Sequence, residues 1–106
     1  MELATFPNPG VTFVEMTSDE LSALGPGNAQ PDLYVARISY QPKALCLESK
    51  SLKLYLGSFR NEEVFCEGLA VRIKSDVAAE LELEPDAVIV TLTQKSRGGI
   101  TITATA

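Results

Sequence analysis

The 106-residue sequence contains no histidine. Without imidazole, the chain cannot by itself build a His-ligated zinc site, a Ser-His-Asp triad or a Cys-His dyad. Acid–base work must fall to carboxylates, thiols, lysines or tyrosines. Cysteine is scarce too: Cys46 and Cys66 are too few for a disulfide framework. No apolar run approaches the ~18–20 residues that span a bilayer. The opening ten residues, MELATFPNPG, lack the basic-then-apolar pattern of a secretory signal. These absences predict a cytoplasmic protein with reduced thiols. Bases are outnumbered, 9 against 14 acids, for a net charge of −5. That balance weighs against broad contact with nucleic acid or membrane.

What is present describes one domain over residues 1–106. Hydrophobic residues make up 45% and charged residues 22%, so a packed core is expected rather than disorder. The charge is uneven. Residues 1–32 and 62–86 are acidic, whereas residues 33–61 carry five bases against the single acid Glu48. A basic middle segment is either a local anion site or a solvated helix face.

Periodicity predicts the order β-β-α-α-β-β. A short first strand covers Val11 to Thr17, and an irregular stretch runs from Ser18 to Pro31 around Gly25-Pro26-Gly27-Asn28. Asp32 to Gln41 reads as a strand with Tyr34, Ala36, Ile38 and Tyr40 on one face. Glu48 to Arg60 reads as an amphipathic helix on Leu52, Tyr55, Leu56 and Phe59. A second helix, Glu62 to Leu83, has the stripe Phe65, Leu69, Ile73, Val77 and Leu81, with Glu62, Glu63 and Glu67 in its first turns. Pro85 ends it. Strand Asp86 to Lys95, with Val88, Val90 and Leu92 on one face, and strand Ile100 to Ala106 flank the turn Ser96-Arg97-Gly98-Gly99. This order predicts an α+β fold, an antiparallel sheet with both helices on one face.

One segment is hard to read as generic. Leu47-Glu48-Ser49-Lys50-Ser51-Leu52-Lys53-Leu54-Tyr55-Leu56, followed by Ser58-Phe59-Arg60-Asn61, resembles the signature of the QueF family. Thr5-Phe6-Pro7-Asn8-Pro9, Gln30-Pro31-Asp32, Ile38-Ser39-Tyr40, Phe65 with Glu67, and Arg97-Gly98-Gly99-Ile100 fit the same pattern in order. The resemblance implies the tunnelling fold (T-fold) and a ring-shaped homo-oligomer with active sites between subunits. It implies NADPH-dependent reduction of 7-cyano-7-deazaguanine to 7-aminomethyl-7-deazaguanine in queuosine biosynthesis. In that chemistry a cysteine thiolate adds to the nitrile carbon to give a thioimide. Two hydrides from NADPH reduce it, an aspartate supplies a proton and a histidine assists.

Carried over by position, Asp32 falls on the family's aspartate. Glu48 and Glu67 fall on the substrate-contacting glutamates, with Leu47 and Ser49 beside the base. A carboxylate suits a 2-aminopurine-like edge because it accepts two N–H bonds at once. Ser49 with Lys50, and Arg97 with Gly98, fall on NADPH-contacting positions, where a base suits phosphate and glycine allows close backbone approach. The family's nucleophile is absent: its Cys-Pro step reads Gly25-Pro26 here, and its histidine is Cys66. Cys66 is therefore the remaining candidate for a relocated nucleophile at a helix start, where the dipole lowers a thiol pKa. The alternative to the reductase is a non-catalytic deazaguanine- or purine-binding protein that keeps the pocket without the chemistry. An archaeosine-forming relative would also need the missing cysteine.

Overall fold

A computed structural model of the protein describes residues 3–106; Met1 and Glu2, the start of the expected domain, lie outside the described residues. A four-stranded antiparallel sheet has the order β2-β3-β5-β6: β2 (Val14–Leu24), β3 (Pro31–Tyr40), β5 (Val88–Arg97) and β6 (Ile100–Thr105). A second, two-stranded sheet pairs β1 (Thr5–Pro7) with β4 (Leu45–Leu47). The sequence pattern did not predict this small sheet, whose three-residue strands are too short to show a period. Helices α1 (Ser49–Gly57) and α2 (Cys66–Leu81) complete the α+β fold. Neither is long and apolar enough to cross a membrane.

Strand alternation holds on β3 as expected. Tyr34, Ala36, Ile38 and Tyr40 are buried, while Leu33 on the opposite face is half exposed. Val88, Val90 and Leu92 do the same on β5, with Ile89 left outside. The buried face packs on Leu69, Ile73, Val77 and Leu81 of α2 and on Leu52, Tyr55 and Leu56 of α1. Each such side chain contributes about 1.5–3 kcal/mol by leaving water. The Tyr40 hydroxyl accepts the Leu47 backbone N–H at 2.8 Å, joining the two sheets.

The first strand departs from the predicted boundaries. It begins at Val14, not Val11, and continues through Ser18–Leu24, where the sequence pattern predicts an irregular stretch. A β-bulge explains why. The register steps from Ser18 opposite Ala36 to Leu21 opposite Tyr34, so β2 carries one extra residue. Inward positions switch from even numbers (Val14, Met16) to odd ones, leaving Leu21 and Ala23 buried. A phase flip inside a strand erases the period of two that sequence reading relies on. The loop that remains is residues 25–30.

The second helix starts at Cys66, not Glu62. The backbone of 62–64 is engaged elsewhere: Leu24 N–H donates to Glu62 C=O at 2.8 Å, and Val64 N–H donates to Leu24 C=O at 3.1 Å. Backbone groups paired across to β2 are not available for helical bonds. Phe65 becomes the N-cap and is 68% exposed rather than part of the buried stripe. Glu62 and Glu63 lie outside the helix, and only Glu67 is acidic in its first turn. The first helix likewise ends at Gly57, with Ser58–Asn61 as turns.

Candidate functional site

The tie between Leu24 and residues 62–64 has a consequence for chemistry. It holds the end of β2 against the start of α2, so Gly25 and Cys66 line one concavity of about 280 Å³. Pro26, Asn28, Asp32, Phe65, Glu67, Gln94, Arg97 and Ile102 complete its lining. Four candidate residues from the sequence thus converge: Asp32, Cys66, Glu67 and Arg97. Larger hollows exist, one of about 480 Å³ between β2 and the C-terminal end of α1. That one contains Lys53 but none of the residues singled out for catalysis or base binding.

Arg97 reaches the concavity through a second bulge. β5 and β6 pair at Gln94 with Ile102, then at Arg97 with Ile100, so β5 also carries an extra residue. The bulge turns Arg97 inward. Its guanidinium donates to Asp32 Oδ1 at 3.1 Å, to the Pro31 carbonyl at 2.8 Å and to Gln30 Oε1. Asp32 is thereby fixed at the inner wall, 8% exposed. Three of its five N–H donors are thus engaged by the protein itself. Gly98 and Gly99 have φ of 59° and 82°, the two-residue turn that joins β5 to β6. At Gly98 the demand is that positive φ; a Cβ there would meet nothing within 4 Å.

Gly25 stands where the resemblance expects a cysteine. A Cβ added there would lie 2.7 Å from Asn28 Oδ1 and 3.2 Å from Asp32 Oδ2. The Asn28 carboxamide fills the space that a side chain at 25 would use, while its Oδ1 accepts the Gln30 N–H at 3.0 Å. Cys66, 2% exposed, has its Sγ 3.9 Å from the Leu92 carbonyl. Burial pushes its thiol up from the ordinary range, and the carboxylates of Glu67 and Asp32 push the same way. The helix start was expected to lower it, but the shift runs the other way, with burial as the largest cause. Cys46 in β4 is buried, as its structural reading expected.

Leu47, Glu48, Ser49 and Lys50 do not line this concavity. Glu48 is the N-cap of α1: Oε2 accepts the Lys50 N–H at 2.7 Å and Oε1 accepts the Ser51 N–H at 2.8 Å. These two bonds, Ser51 first, hold its carboxyl below the usual glutamate range. Ser49 and Lys50 are exposed on the first turn, and Leu47 is buried in β4. The positions that the resemblance assigns to NADPH, Ser49 and Lys50 on one side and Arg97 on the other, therefore do not line one concavity. The sequence reading also missed Asn28, Gln94 and Ile102. Only Asn28, inside the Gly-Pro-Gly-Asn turn, carried a local signal.

The chain is similar to several known proteins. A model of the family described as QueF-like protein matches residues 31–106. The NADPH-dependent 7-cyano-7-deazaguanine reductase of Chlorobium phaeovibrioides (strain DSM 265 / 1930) is 37% identical over 102 residues, covering 96% of this chain and 85% of its own. The enzyme of the same name from Syntrophus aciditrophicus (strain SB) is 45% identical over 108 residues, covering 99% and 76%. The crystal structure of the archaeosine synthase QueF-Like in the apo form superposes with a TM-score of 0.81 at 21% identity, over 92% of this chain and 93% of that one. That likeness shows the fold, which is the T-fold. The chain belongs to the QueF family.

Proposed function

We propose that this chain binds a 7-deazaguanine or guanine-like base in the concavity and does not reduce a nitrile there. The observation that carries this is the wall at Gly25. An otherwise family-like pocket, with Asp32 and Glu67 facing it, has no side chain at the nucleophile's position and an asparagine carboxamide in its place. Glu67 accepts the N–H donors of the base. Asp32, held by Arg97, orders the opposite wall. Cys66 is a poor replacement nucleophile, because a thiol whose pKa is raised by burial and by neighbouring carboxylates carries little thiolate at neutral pH.

Relatives named as NADPH-dependent reductases support NADPH as the family's cofactor, which supplies hydride when bound. In this chain Ser49 and Lys50 stand on the first turn of α1, whereas Arg97 ends β5 and lines the concavity. A second copy of the chain is one way to bring both pairs onto one cofactor. Self-association into a ring would provide it, and two features favour such an assembly. β2 and β6 are both open sheet edges. Leu33 and Ile89 are half exposed on the sheet face away from the helices.

The test is calorimetric titration with 7-cyano-7-deazaguanine, followed by NADPH oxidation with the same nitrile. Saturable binding that Glu67→Gln weakens, with no NADPH consumption above background, is the expected result. No binding at millimolar ligand would refute the pocket, and steady turnover would refute its inertness.

A further inference from the structure

Gly25 leaves a gap with a chemistry of its own. The three heavy atoms nearest to the point where a Cβ would stand are Asn28 Oδ1 at 2.7 Å, Asn28 Nδ2 at 3.2 Å and Asp32 Oδ2 at 3.2 Å. Their hydrogen bonds sort them. Asn28 Oδ1 accepts the Gln30 N–H, which fixes which end of the carboxamide is the donor. On Asp32 it is Oδ1 that accepts from Arg97. Asn28 Nδ2 and Asp32 Oδ2 have no hydrogen-bond partner among the described residues. One free donor and one free acceptor therefore flank the same point, and Gly25, Asn28 and Asp32 all line the concavity.

Both groups are held in place without a ligand. Gly25 N–H donates to the Gln30 carbonyl at 2.9 Å, and the Asn28 and Ala29 N–H groups donate to the Gly25 carbonyl at 3.3 and 3.2 Å. Asp32 is 8% exposed and paired with Arg97. Such preorganisation lowers the cost of binding. Other donors line the concavity, namely Gln94 and the two remaining N–H groups of Arg97. Neither residue stands as close to position 25 as Asn28 and Asp32 do.

A donor beside an acceptor selects among small groups. A nitrile only accepts, and would set its nitrogen lone pair against Asp32. A carboxylate would set a charge there. An aminomethyl group only donates, leaving Asn28 Nδ2 unmet. A primary carboxamide offers one acceptor and one donor side by side. In a guanine-like base held by Glu67 through its N–H edge, a substituent at position 7 lies across the bicycle, toward the opposite wall. We propose that the gap at Gly25 is a subsite for a primary carboxamide at position 7 of the base. Its carbonyl accepts from Asn28 Nδ2, and its amide nitrogen donates to Asp32 Oδ2. This deepens the base-binding reading and rests on it.

The test is calorimetric titration of the full chain with 7-deazaguanine and its 7-cyano, 7-carbamoyl and 7-aminomethyl derivatives. Wild type should bind the carbamoyl ligand about tenfold or more tightly than 7-deazaguanine, and more tightly than the nitrile. Asn28→Asp keeps the acceptor for the Gln30 N–H but exchanges the free donor for an acceptor. It should lose most of the carbamoyl preference and gain affinity for the aminomethyl ligand. The added charge acts on every ligand, and 7-deazaguanine reports that common effect. Equal affinities in wild type, or a nitrile bound more tightly than the carboxamide, would overturn the proposal while leaving base binding intact, whether or not the variant folds. A carbamoyl preference that survives Asn28→Asp would assign the group to Gln94 or Arg97 and overturn it too. Failure of wild type to bind any of the four would remove the base-binding reading itself, and this proposal with it.

Discussion

Restoring the missing thiol is the sharpest perturbation of this pocket. Gly25 has no positive φ, so its backbone accepts a side chain without strain. The obstacle is Asn28, whose Oδ1 and Nδ2 lie 2.7 and 3.2 Å from the Cβ that Gly25→Cys would add. The carboxamide must swing out and give up the Gln30 N–H. In this exposed loop that costs about 0.5–1 kcal/mol. Replacing glycine returns about 0.4–1 kcal/mol by restricting the unfolded chain. The two nearly cancel, so the midpoint should move by less than roughly 5 °C. Adding Asn28→Ala removes the obstacle. A double-mutant cycle should then show about 0.5–1 kcal/mol of coupling between positions 25 and 28. The chemical assay is intact mass after incubation with 7-cyano-7-deazaguanine. Thiol addition to a nitrile expels nothing, so the folded variant should gain the whole mass of the ligand, and wild type should gain none. Two results would refute the reasoning. One is zero coupling, meaning that Asn28 does not fill the cysteine's space. The other is a folded, ligand-saturated Gly25→Cys/Asn28→Ala protein with no adduct, meaning that position 25 does not face the bound nitrile.

Three further outcomes are expected. Both cysteines should resist iodoacetamide in the native protein at neutral pH and react in denaturant, because each is buried and the Cys66 thiol is pushed up; fast native labelling of Cys66 would contradict this. Tyr55→Phe should cost about 1.5 kcal/mol in urea unfolding, since it removes a hydrogen bond to the Asp76 carboxylate between the two helices. Glu48→Gln should lower stability near neutral pH and flatten its acid limb. The folded-state pKa of Glu48 is depressed, so its contribution is present above the ordinary glutamate range and is lost as pH falls through the folded value. Equal acid limbs for wild type and variant would argue against that cap.

Much of the fold was legible because burial on one sheet face and one helix stripe imposes periods of two and 3.6. Tyr34 to Tyr40, Val88 to Leu92, and Leu69, Ile73, Val77 and Leu81 lie as their spacing predicted. The same local rule failed at Ser18–Leu24, where a bulge reverses the phase. It failed again at 62–65, where the backbone pairs with Leu24 instead of coiling. Both failures flank the candidate site.

The sequence alone determined the chemistry on offer: no imidazole, glycine at position 25 where the resemblance expects a thiol, and carboxylates at Asp32 and Glu67. Residue identity is a local property, so nothing about folding could alter it. Tertiary structure decided which groups meet and which are already engaged. It paired Arg97 with Asp32, gave Glu48 to a helix cap, raised the Cys66 thiol and left the Tyr34 hydroxyl without an acceptor. Those outcomes depend on burial and on neighbours distant in sequence, whose placement no short-range pattern encodes.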